Sequence, residues 1–244
     1  MVGERQAVFG YDEAVLAEFP AIRAGIVRAT GLADGPSPPG LPDQYRAEQQ
    51  AVKLRLVGTA LADLPSIAAW RRAFSRFGAR PTQYRNAAEA LLRRLTKHGD
   101  IPSINPLVDI GNLVSIRYAM PVAVCDQATV AGATTVQFAT GDECFTDIGS
   151  TEQVHPEPGE VIFADDAKVV SARRWCWRQS AQSATSETTV DALVIIEGLH
   201  DTAGSEVASA VTDLVSLLAA YQPASRTVSY LVSPANPRAS GAIS

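Results

Sequence analysis

The chain has 244 residues, with 21 Lys and Arg against 26 Asp and Glu, so its formal net charge is −5. Hydrophobic residues make up 46% of the chain and charged residues 19%, which supplies a sizeable core and excludes an intrinsically disordered protein. The acidic balance also excludes a protein that covers nucleic acid with its whole surface, because such proteins need a basic excess. A small local basic patch stays compatible with this composition.

The cysteines and the N-terminus indicate the expected compartment. Cys125, Cys144 and Cys176 lie far apart without a Cys-x-x-Cys pair, which predicts reduced, mostly buried thiols and no structural zinc site. The first residues carry Glu4 and Asp12 and lack the apolar run of a signal peptide. No stretch approaches the roughly 20 apolar residues that a membrane helix needs. We therefore expect a cytoplasmic protein that does not contact membranes.

The first hundred residues predict two short strands and several helices. Strands are expected over residues 6–10 and 22–28, a helix over 12–19 between them, and a loop over the Gly- and Pro-rich segment 31–42. Apolar periodicity and helix-start residues predict three further helices, over residues 43–56, 64–77 and 84–97.

From about residue 120 the pattern alternates with a period of two, which is typical of strands. The predicted elements are strands over 134–140, 160–164, 168–178 and 188–199, a helix over 205–221 and a strand over 227–232. Helices followed by strands favour segregated α+β layers over alternating βαβ units.

Charge is unevenly distributed along the chain. Between residues 71 and 97 eight basic side chains and a single acid, Glu89, give a local charge of +7, so the remainder carries −12. Ordinary solvated helix faces would explain this segment. Because arginine pairs bidentately with phosphate, the alternative is a footprint for an RNA backbone, formed by Arg71, Arg72, Arg76, Arg80, Arg85, Arg93 and Arg94.

The motifs of several common enzyme classes are missing from the sequence. It contains no Gly-x-Ser-x-Gly elbow, Walker loop, dinucleotide fingerprint or His-Glu-x-x-His, so we expect no cofactor and no metal site. The three histidines, His98, His155 and His200, stand beside Gly, Pro or Asp, which predicts surface loop positions.

Glu197 is the residue that is hardest to explain as ordinary structure. It ends the apolar run of residues 192–196, and a buried carboxylate without partners costs several kcal/mol. It either lies at an exposed strand exit, bonds to a buried partner, or accepts a hydrogen bond from a ligand in a pocket. The adjacent Gly198 would let a ligand or the backbone approach closely.

Two further segments carry polar or aromatic groups of interest. Asp109 can cap the start of a helix, and Asn112 offers a donor and acceptors. Strand alternation over residues 173–178 would place the two tryptophans, Trp175 and Trp177, on the face opposite Arg174, Cys176 and Arg178. This predicts either a half-buried strand or an aromatic wall with an arginine rim that stacks a base or ring.

Four segments, taken in order, resemble one known domain family. They are VDIGNLVSIRYAMPVAVCD (108–126), TVQFATGDECFTDIGS (135–150), VIFADDAKVV (161–170) and TTVDALVIIEG (188–198). Over about residues 74–220 the chain resembles the tRNA-editing (B-three/B-four) domain of the phenylalanyl-tRNA synthetase beta chain. The resemblance implies an α+β fold, a three-layer β/β/α sandwich with helices in the N-terminal half and a β-sandwich in the C-terminal half.

The resemblance also implies roles for individual residues. Glu197 aligns with the glutamate that reads the tyrosine hydroxyl in the family's pocket, Asn112 aligns with a pocket asparagine, and Gly111 stands where the family has threonine. Ala123 replaces the pocket histidine of the family's Pro-x-His. The segment with Trp175 and Trp177 replaces a glycine-rich one, so a different amino acid or ligand is expected.

The family domain hydrolyses tyrosine wrongly attached to the phenylalanine tRNA. The resemblance therefore predicts a freestanding, trans-acting deacylase of mischarged aminoacyl-tRNA. Its expected partners are the tRNA acceptor end and a synthetase, but neither DNA nor a membrane. The alternative is a non-catalytic module that binds an amino acid, the acceptor end or a synthetase partner. The expected parts are an N-terminal extension packed on the main domain (1–70), the editing-like domain (71–222), and a short strand with a flexible tail (223–244).

Overall fold

The middle layer of the protein is a four-stranded antiparallel sheet. The computed structural model describes residues 6–33 and 35–241. The order of the strands is β11-β2-β10-β3, with β2 at Arg23–Thr30, β3 at Val122–Asp126, β10 at Asp191–Gly198 and β11 at Arg226–Val232. All residues of β10 from Ala192 onward are buried, because this strand is central and covered on both faces.

A six-stranded sheet packs on one face of the middle sheet. Its order is β12-β1-β4-β7-β8-β9, with β1 at Gln6–Tyr11, β4 at Thr134–Phe138, β7 at Val161–Ala164, β8 at Val170–Arg173, β9 at Arg178–Gln179 and β12 at Arg238–Gly241. Strands β1 and β4 are parallel and the other neighbours are antiparallel. Two short strands, β5 at Phe145–Thr146 and β6 at Gln153–Val154, form a separate ribbon.

Four of the α-helices cover the other face of the middle sheet. The helices are α1 at Glu13–Glu18, α2 at Leu41–Arg55, α3 at Pro65–Arg76, α4 at Ala87–His98, α5 at Pro106–Tyr118 and α6 at Ala203–Tyr221, with a short 3-10 helix at Leu61–Asp63. Helices α2, α4, α5 and α6 form the outer layer, whereas α1 and α3 contribute to the space between the sheets.

Two hydrophobic cores follow from the alternation of side chains along β10. Val194 and Ile196 face the helices, while Leu193 and Ile195 face the six-stranded sheet. Gly25 on β2 allows α6 to approach closely, because a Cβ there would lie 2.2 Å from Cγ2 of Val211. The predicted three-layer α+β architecture is confirmed, with the two sheets and the helical layer in that order.

The N-terminal and C-terminal segments are part of both sheets. Strand β1 lies between β12 and β4, and β2 lies between β11 and β10. The division into 1–70, 71–222 and 223–244 stays a prediction. Within the last part, residues 238–241 form a strand on β1, although a flexible tail was expected there, because the backbone of β1 offers them an antiparallel ladder.

Three local predictions are wrong. Residues 168–178 do not form one strand: β8 ends at Arg173 and residues 174–177 make a turn before β9. Asp109 does not cap α5, because the helix begins at Pro106 and Asn105 accepts the N–H of Val108 at 2.9 Å. His200 is not a surface residue, since only 6% of it is exposed.

Helix α6 is long and apolar enough, by length and composition alone, to cross a membrane. No stretch of this kind was expected from the sequence. In the structure α6 is a helix of the outer layer with one face packed on the middle sheet. It packs on β2, β10 and α5 and buries one face, formed by Ala203, Val207, Ala210, Val211, Leu214, Leu217 and Leu218.

Candidate functional site

The carboxylate of Glu197 lies between the two sheets and is 2% exposed. Its Oε1 accepts the hydroxyl of Tyr11, on β1, and the indole N–H of Trp175 at 2.8 Å. Both hydrogen bonds reach the same oxygen, and among the described residues Oε2 has no donor. Glu197 is therefore a buried carboxylate with one oxygen fixed by the protein and the other available to a ligand.

Burial controls the protonation of this group. It raises the pKa of the Glu197 carboxyl to about 7, although the hydrogen bonds from Tyr11 and Trp175 lower that pKa. Burial, followed by the charge of Glu197, also holds the pKa of the Tyr11 hydroxyl well above its usual range. The Tyr11 hydroxyl therefore remains a donor at neutral pH, while the Glu197 carboxyl loses its proton near neutral pH.

A cavity of about 70 Å³ lies beside Glu197. Four of the predicted pocket residues line it, namely Glu197, Ala123, Trp175 and Trp177. Among the described residues, no Ser, Thr or His lines this cavity. The thiol of Cys176 does line it, but this thiol is not activated as a nucleophile. Burial, and next the charge of Glu197, raises the pKa of Cys176 well above its ordinary value, so the thiol stays protonated.

The turn after β8 forms one wall of this cavity and has an unusual backbone. Arg174 and Trp175 have φ angles of +43° and +60°, a left-handed conformation that side chains with a Cβ rarely adopt. The surroundings hold this turn in place. The backbone N–H of Trp175 donates to the carbonyl of Val161 at 2.6 Å, and the indole ring packs edge-on against Trp70 and Phe19. Trp175 is consequently fully buried, and its indole N–H donates to Glu197.

A stacked group of aromatic and arginine side chains borders the same turn. The Arg174 guanidinium lies 4.1 Å from the ring centre of Tyr84 and 5.0 Å from that of Trp177. Buried Glu160 accepts the backbone N–H of Arg174 at 2.8 Å. Beyond them lies a second cavity, of about 360 Å³, which Arg80, Tyr84 and Arg174 help to line.

Comparison with protein families decides the relationship of the chain. Residues 69–216 match the model of the B3/4 domain. The chain belongs to the B3/4 domain family. The resemblance to the B-three/B-four domain of the phenylalanyl-tRNA synthetase beta chain is thereby confirmed, and the protein is a synthetase-related domain.

Other comparisons add little to this assignment. The chain is similar to an N-terminal fragment of the phenylalanyl-tRNA synthetase beta subunit from Pyrococcus horikoshii, with 11% identity and a TM-score of 0.46. That similarity covers 90% of this chain, which spans 50% of the fragment. No curated protein matches the chain.

Two predicted pocket residues of this B3/4 domain lie outside the Glu197 cavity. Gly111 and Asn112 belong to α5, in the helical layer, so the middle sheet separates them from Glu197. A Cβ on Gly111 would lie 2.6 Å from Cγ2 of Val124, and half-buried Asn112 lies next to the hydroxyl of Tyr45. The resemblance assigns these two positions to the pocket, but in this chain the close approach of α5 to β3 takes up the space beside Gly111.

The seven arginines proposed for RNA divide into two groups in the B3/4 domain. Arg71 pairs bidentately with buried Glu89, at 2.9 and 3.1 Å, and Arg85 lies 3.7 Å from the same carboxylate. Arg76 is paired with Glu18 at 2.8 Å. The others are exposed and, within residues 6–33 and 35–241, form no ion pair: Arg72, Arg80, Arg93 and Arg94.

Sequence reasoning missed Tyr11 and Tyr84. Tyr11 is separated from Glu197 by 186 positions, and nothing in the N-terminal strand indicates that the two meet. Gly198 was noted as a position for a ligand, but its Cβ would lie 2.8 Å from Cβ of Ala203 and 3.3 Å from Cε1 of His200. This glycine is needed so that the start of α6 can pack on β10.

Proposed function

We propose that this B3/4 domain hydrolyses the ester bond of mischarged aminoacyl-tRNA, with the amino acid held in the Glu197 cavity. The observation that carries the proposal is the buried Glu197 carboxylate, whose Oε2 has no donor among the described residues. An ammonium or hydroxyl group of a substrate would donate to that oxygen. Because hydrogen bonds to a carboxylate are among the stronger ones, a substrate that supplies the donor is preferred over one that does not.

The size of the cavity supports a small amino acid as substrate. Its volume of about 70 Å³ is well below the roughly 300–1,000 Å³ of ordinary small-molecule sites. Trp175 closes one side and Ala123 leaves space on another. Side chains larger than the cavity would clash with the fully buried Trp175, which is fixed by its hydrogen bond to Glu197.

The reaction that we propose needs no covalent nucleophile. Water adds to the ester carbonyl carbon, the bond to the ribose oxygen breaks, and the proton from water passes to the departing ribose hydroxyl. The products are the free amino acid and the uncharged tRNA. Aminoacyl esters are already activated, so binding and orientation of the ester beside a water molecule supply the catalysis. The protonated thiol of Cys176 is consistent with this water-based route.

The acceptor end of tRNA would approach across the arginine and aromatic group next to the cavity. Tyr84 and Arg174 provide flat surfaces on which a terminal base can stack, and Arg80 is exposed for a phosphate. Arg72, Arg93 and Arg94 would add phosphate contacts. A single-stranded end requires few such contacts, which is compatible with a net charge of −5. We place this activity in the cytoplasm.

A deacylation panel tests the proposal. The protein is incubated with a set of tRNAs charged with different amino acids, and loss of the ester is followed over time. We expect faster hydrolysis for small amino acids, and Glu197→Gln should change which of them are hydrolysed. Glu187→Gln, at an exposed carboxylate that does not line the cavity, should act like the unmodified protein. If Glu197→Gln hydrolyses every charged tRNA of the panel at the rate of the unmodified protein, Glu197 has no role in substrate recognition.

One observation favours a non-catalytic binding module instead. Tyr11 and Trp175 already bind Glu197, and the described residues that line the cavity include no Ser, Thr or His. Such a module would bind an amino acid, the acceptor end or a synthetase partner. Absence of hydrolysis on every charged tRNA, together with measurable binding of a non-hydrolysable aminoacyl-tRNA analogue, would decide for this function.

A further inference from the structure

A third cavity lies in the helical layer, on the face of the middle sheet opposite to Glu197. Its volume is about 320 Å³, within the range of small-molecule sites. Parts of α2, α3, α4, α5 and α6 surround it, together with the loop after β10. A Cβ on Gly198 would point toward Met120 and His200. Met120 belongs to the core on the helical side of the sheet, so the cavity, which His200 lines, lies on that side too. We call it the α3 pocket.

The N-terminal end of α3 opens into the α3 pocket. Pro65 and Ser66 line it, and no side chain caps this helix, whose first turn also has no acidic residue. Among the described residues the backbone N–H groups of Ser66 and Ile67 have no acceptor. Helix N-termini carry a partial positive charge and unpaired donors, which are favourable for anions.

Two buried side chains in the α3 pocket have polar atoms without partners. Ser66 is 4% exposed and His200 is 6% exposed, and neither Ser66 Oγ nor His200 Nδ1 has a hydrogen-bond partner among the described residues. His200 Nε2 lies 3.1 Å from the carboxylate of Glu206, which fixes the ring. Buried polar atoms are normally paired, so both of these indicate a ligand.

The charged residues that line the α3 pocket are Arg55, Arg117 and Glu206. The Glu206 carboxylate is occupied by His200 Nε2 at 3.1 Å and accepts the Thr202 hydroxyl at 2.6 Å, so the pocket can still hold an anion at the end of α3. Arg55 stands at its rim and donates to the carbonyls of Ile116 and Arg117, so it neutralises the negative end of α5. Arg117 itself is neutralised by Glu48 and Asp213. Apolar walls come from Leu56, Leu64 and Leu92.

We propose that the α3 pocket binds a small molecule that carries a carboxylate or phosphate group on a short apolar body. Its oxygens accept the N–H groups of Ser66 and Ile67 and the Ser66 hydroxyl. His200, when protonated, donates from Nδ1 to the same group and from Nε2 to Glu206. The apolar body contacts the leucine walls. This site is separate from the Glu197 cavity and does not depend on the proposed hydrolysis.

The test is a titration of the ¹⁵N-labelled full chain, followed by amide NMR shifts, with inorganic phosphate, 4-methylpentanoate and neutral 4-methylpentanol as probes. We expect saturable shifts at Ser66, Ile67 and His200 with one or both anions. Binding of phosphate alone assigns a phosphate ligand, and binding of the acid alone assigns a carboxylate. If neither anion shifts these amides, or if the alcohol binds as tightly as the acid, the proposal is overturned.

Variants give an independent check on the same site. Ser66→Ala should weaken binding of the anion about tenfold or more, because it removes a hydrogen bond to a charged group. Ser75→Ala, on the exposed end of the same helix, is the matched control and should bind as the unmodified protein does. An equal loss of anion affinity in the two serine variants contradicts the proposal. If Ser66→Ala does not fold, the amide NMR shifts of the unmodified chain still decide it.

Discussion

The indole Nε1 of Trp175 and Oε1 of Glu197 are 2.8 Å apart, and this hydrogen bond connects the turn of one sheet to the central strand of the other. Replacing Trp175 with Phe keeps an aromatic ring but removes the donor. We expect a loss of about 2–4 kcal/mol in the free energy of unfolding, from the hydrogen bond and the smaller ring together. We also expect the pKa of Glu197 to rise above about 7, because the Trp175 hydrogen bond lowers it.

Chemical denaturation and a carbon-13 NMR titration of the Glu197 carboxyl measure these two effects. Trp177→Phe is the control, because Trp177 lies in the same turn and among the described residues its indole N–H has no acceptor. A shift of the Glu197 pKa as large in Trp177→Phe as in Trp175→Phe would exclude the hydrogen bond as its cause.

Stability should depend on pH through Glu197. An unfolded glutamate loses its proton near 4.5, while burial keeps the folded carboxyl protonated up to about 7. Between these values the folded state binds the additional proton, so the free energy of unfolding falls as pH rises, by up to about 1.4 kcal/mol per pH unit. The contribution of protonated Glu197 is complete below 4.5 and is lost as pH rises through 7.

Urea unfolding at several pH values between 4 and 8 measures this dependence. Glu197→Gln keeps the shape of the side chain but does not titrate, so its stability should lack this decrease. Glu187→Gln, on an exposed loop, should retain the full decrease. The assignment fails if the decrease persists in Glu197→Gln.

Much of the fold followed from local patterns, whereas the site depended on contacts distant in sequence. Apolar periodicity located α2, α3, α4 and α6 to within a few residues, and the apolar run before Glu197 predicted β10. The turn over residues 174–177 was not predicted, because its left-handed residues are not glycines and tertiary contacts impose their conformation. The pairing of Tyr11 with Glu197 was not predictable either, since it depends on how two sheets face each other.

Gly111 lies where α5 approaches β3 closely, at the position to which the sequence resemblance assigns a threonine of the family. A Cβ there would lie 2.6 Å from Cγ2 of Val124. We expect Gly111→Thr to destabilise the fold by about 1–3 kcal/mol through overpacking. In the double variant with Val124→Ala, the space freed should recover part of that loss, which denaturation of all four proteins in a mutant cycle measures. Additive effects would contradict a direct contact.

The arginines of α3 should separate into structural and RNA-contacting residues. Arg71→Ala leaves Glu89, 1% exposed, without its bidentate partner, so we expect a loss of about 3 kcal/mol in unfolding free energy. Arg72→Ala removes an exposed charge and should change stability by less than about 0.5 kcal/mol. In tRNA binding at several salt concentrations, Arg72→Ala should weaken affinity and reduce the salt slope by nearly one, because one phosphate contact is lost. An unchanged salt slope in Arg72→Ala would remove this residue from the RNA surface, whereas the cost of Arg71→Ala is independent of RNA.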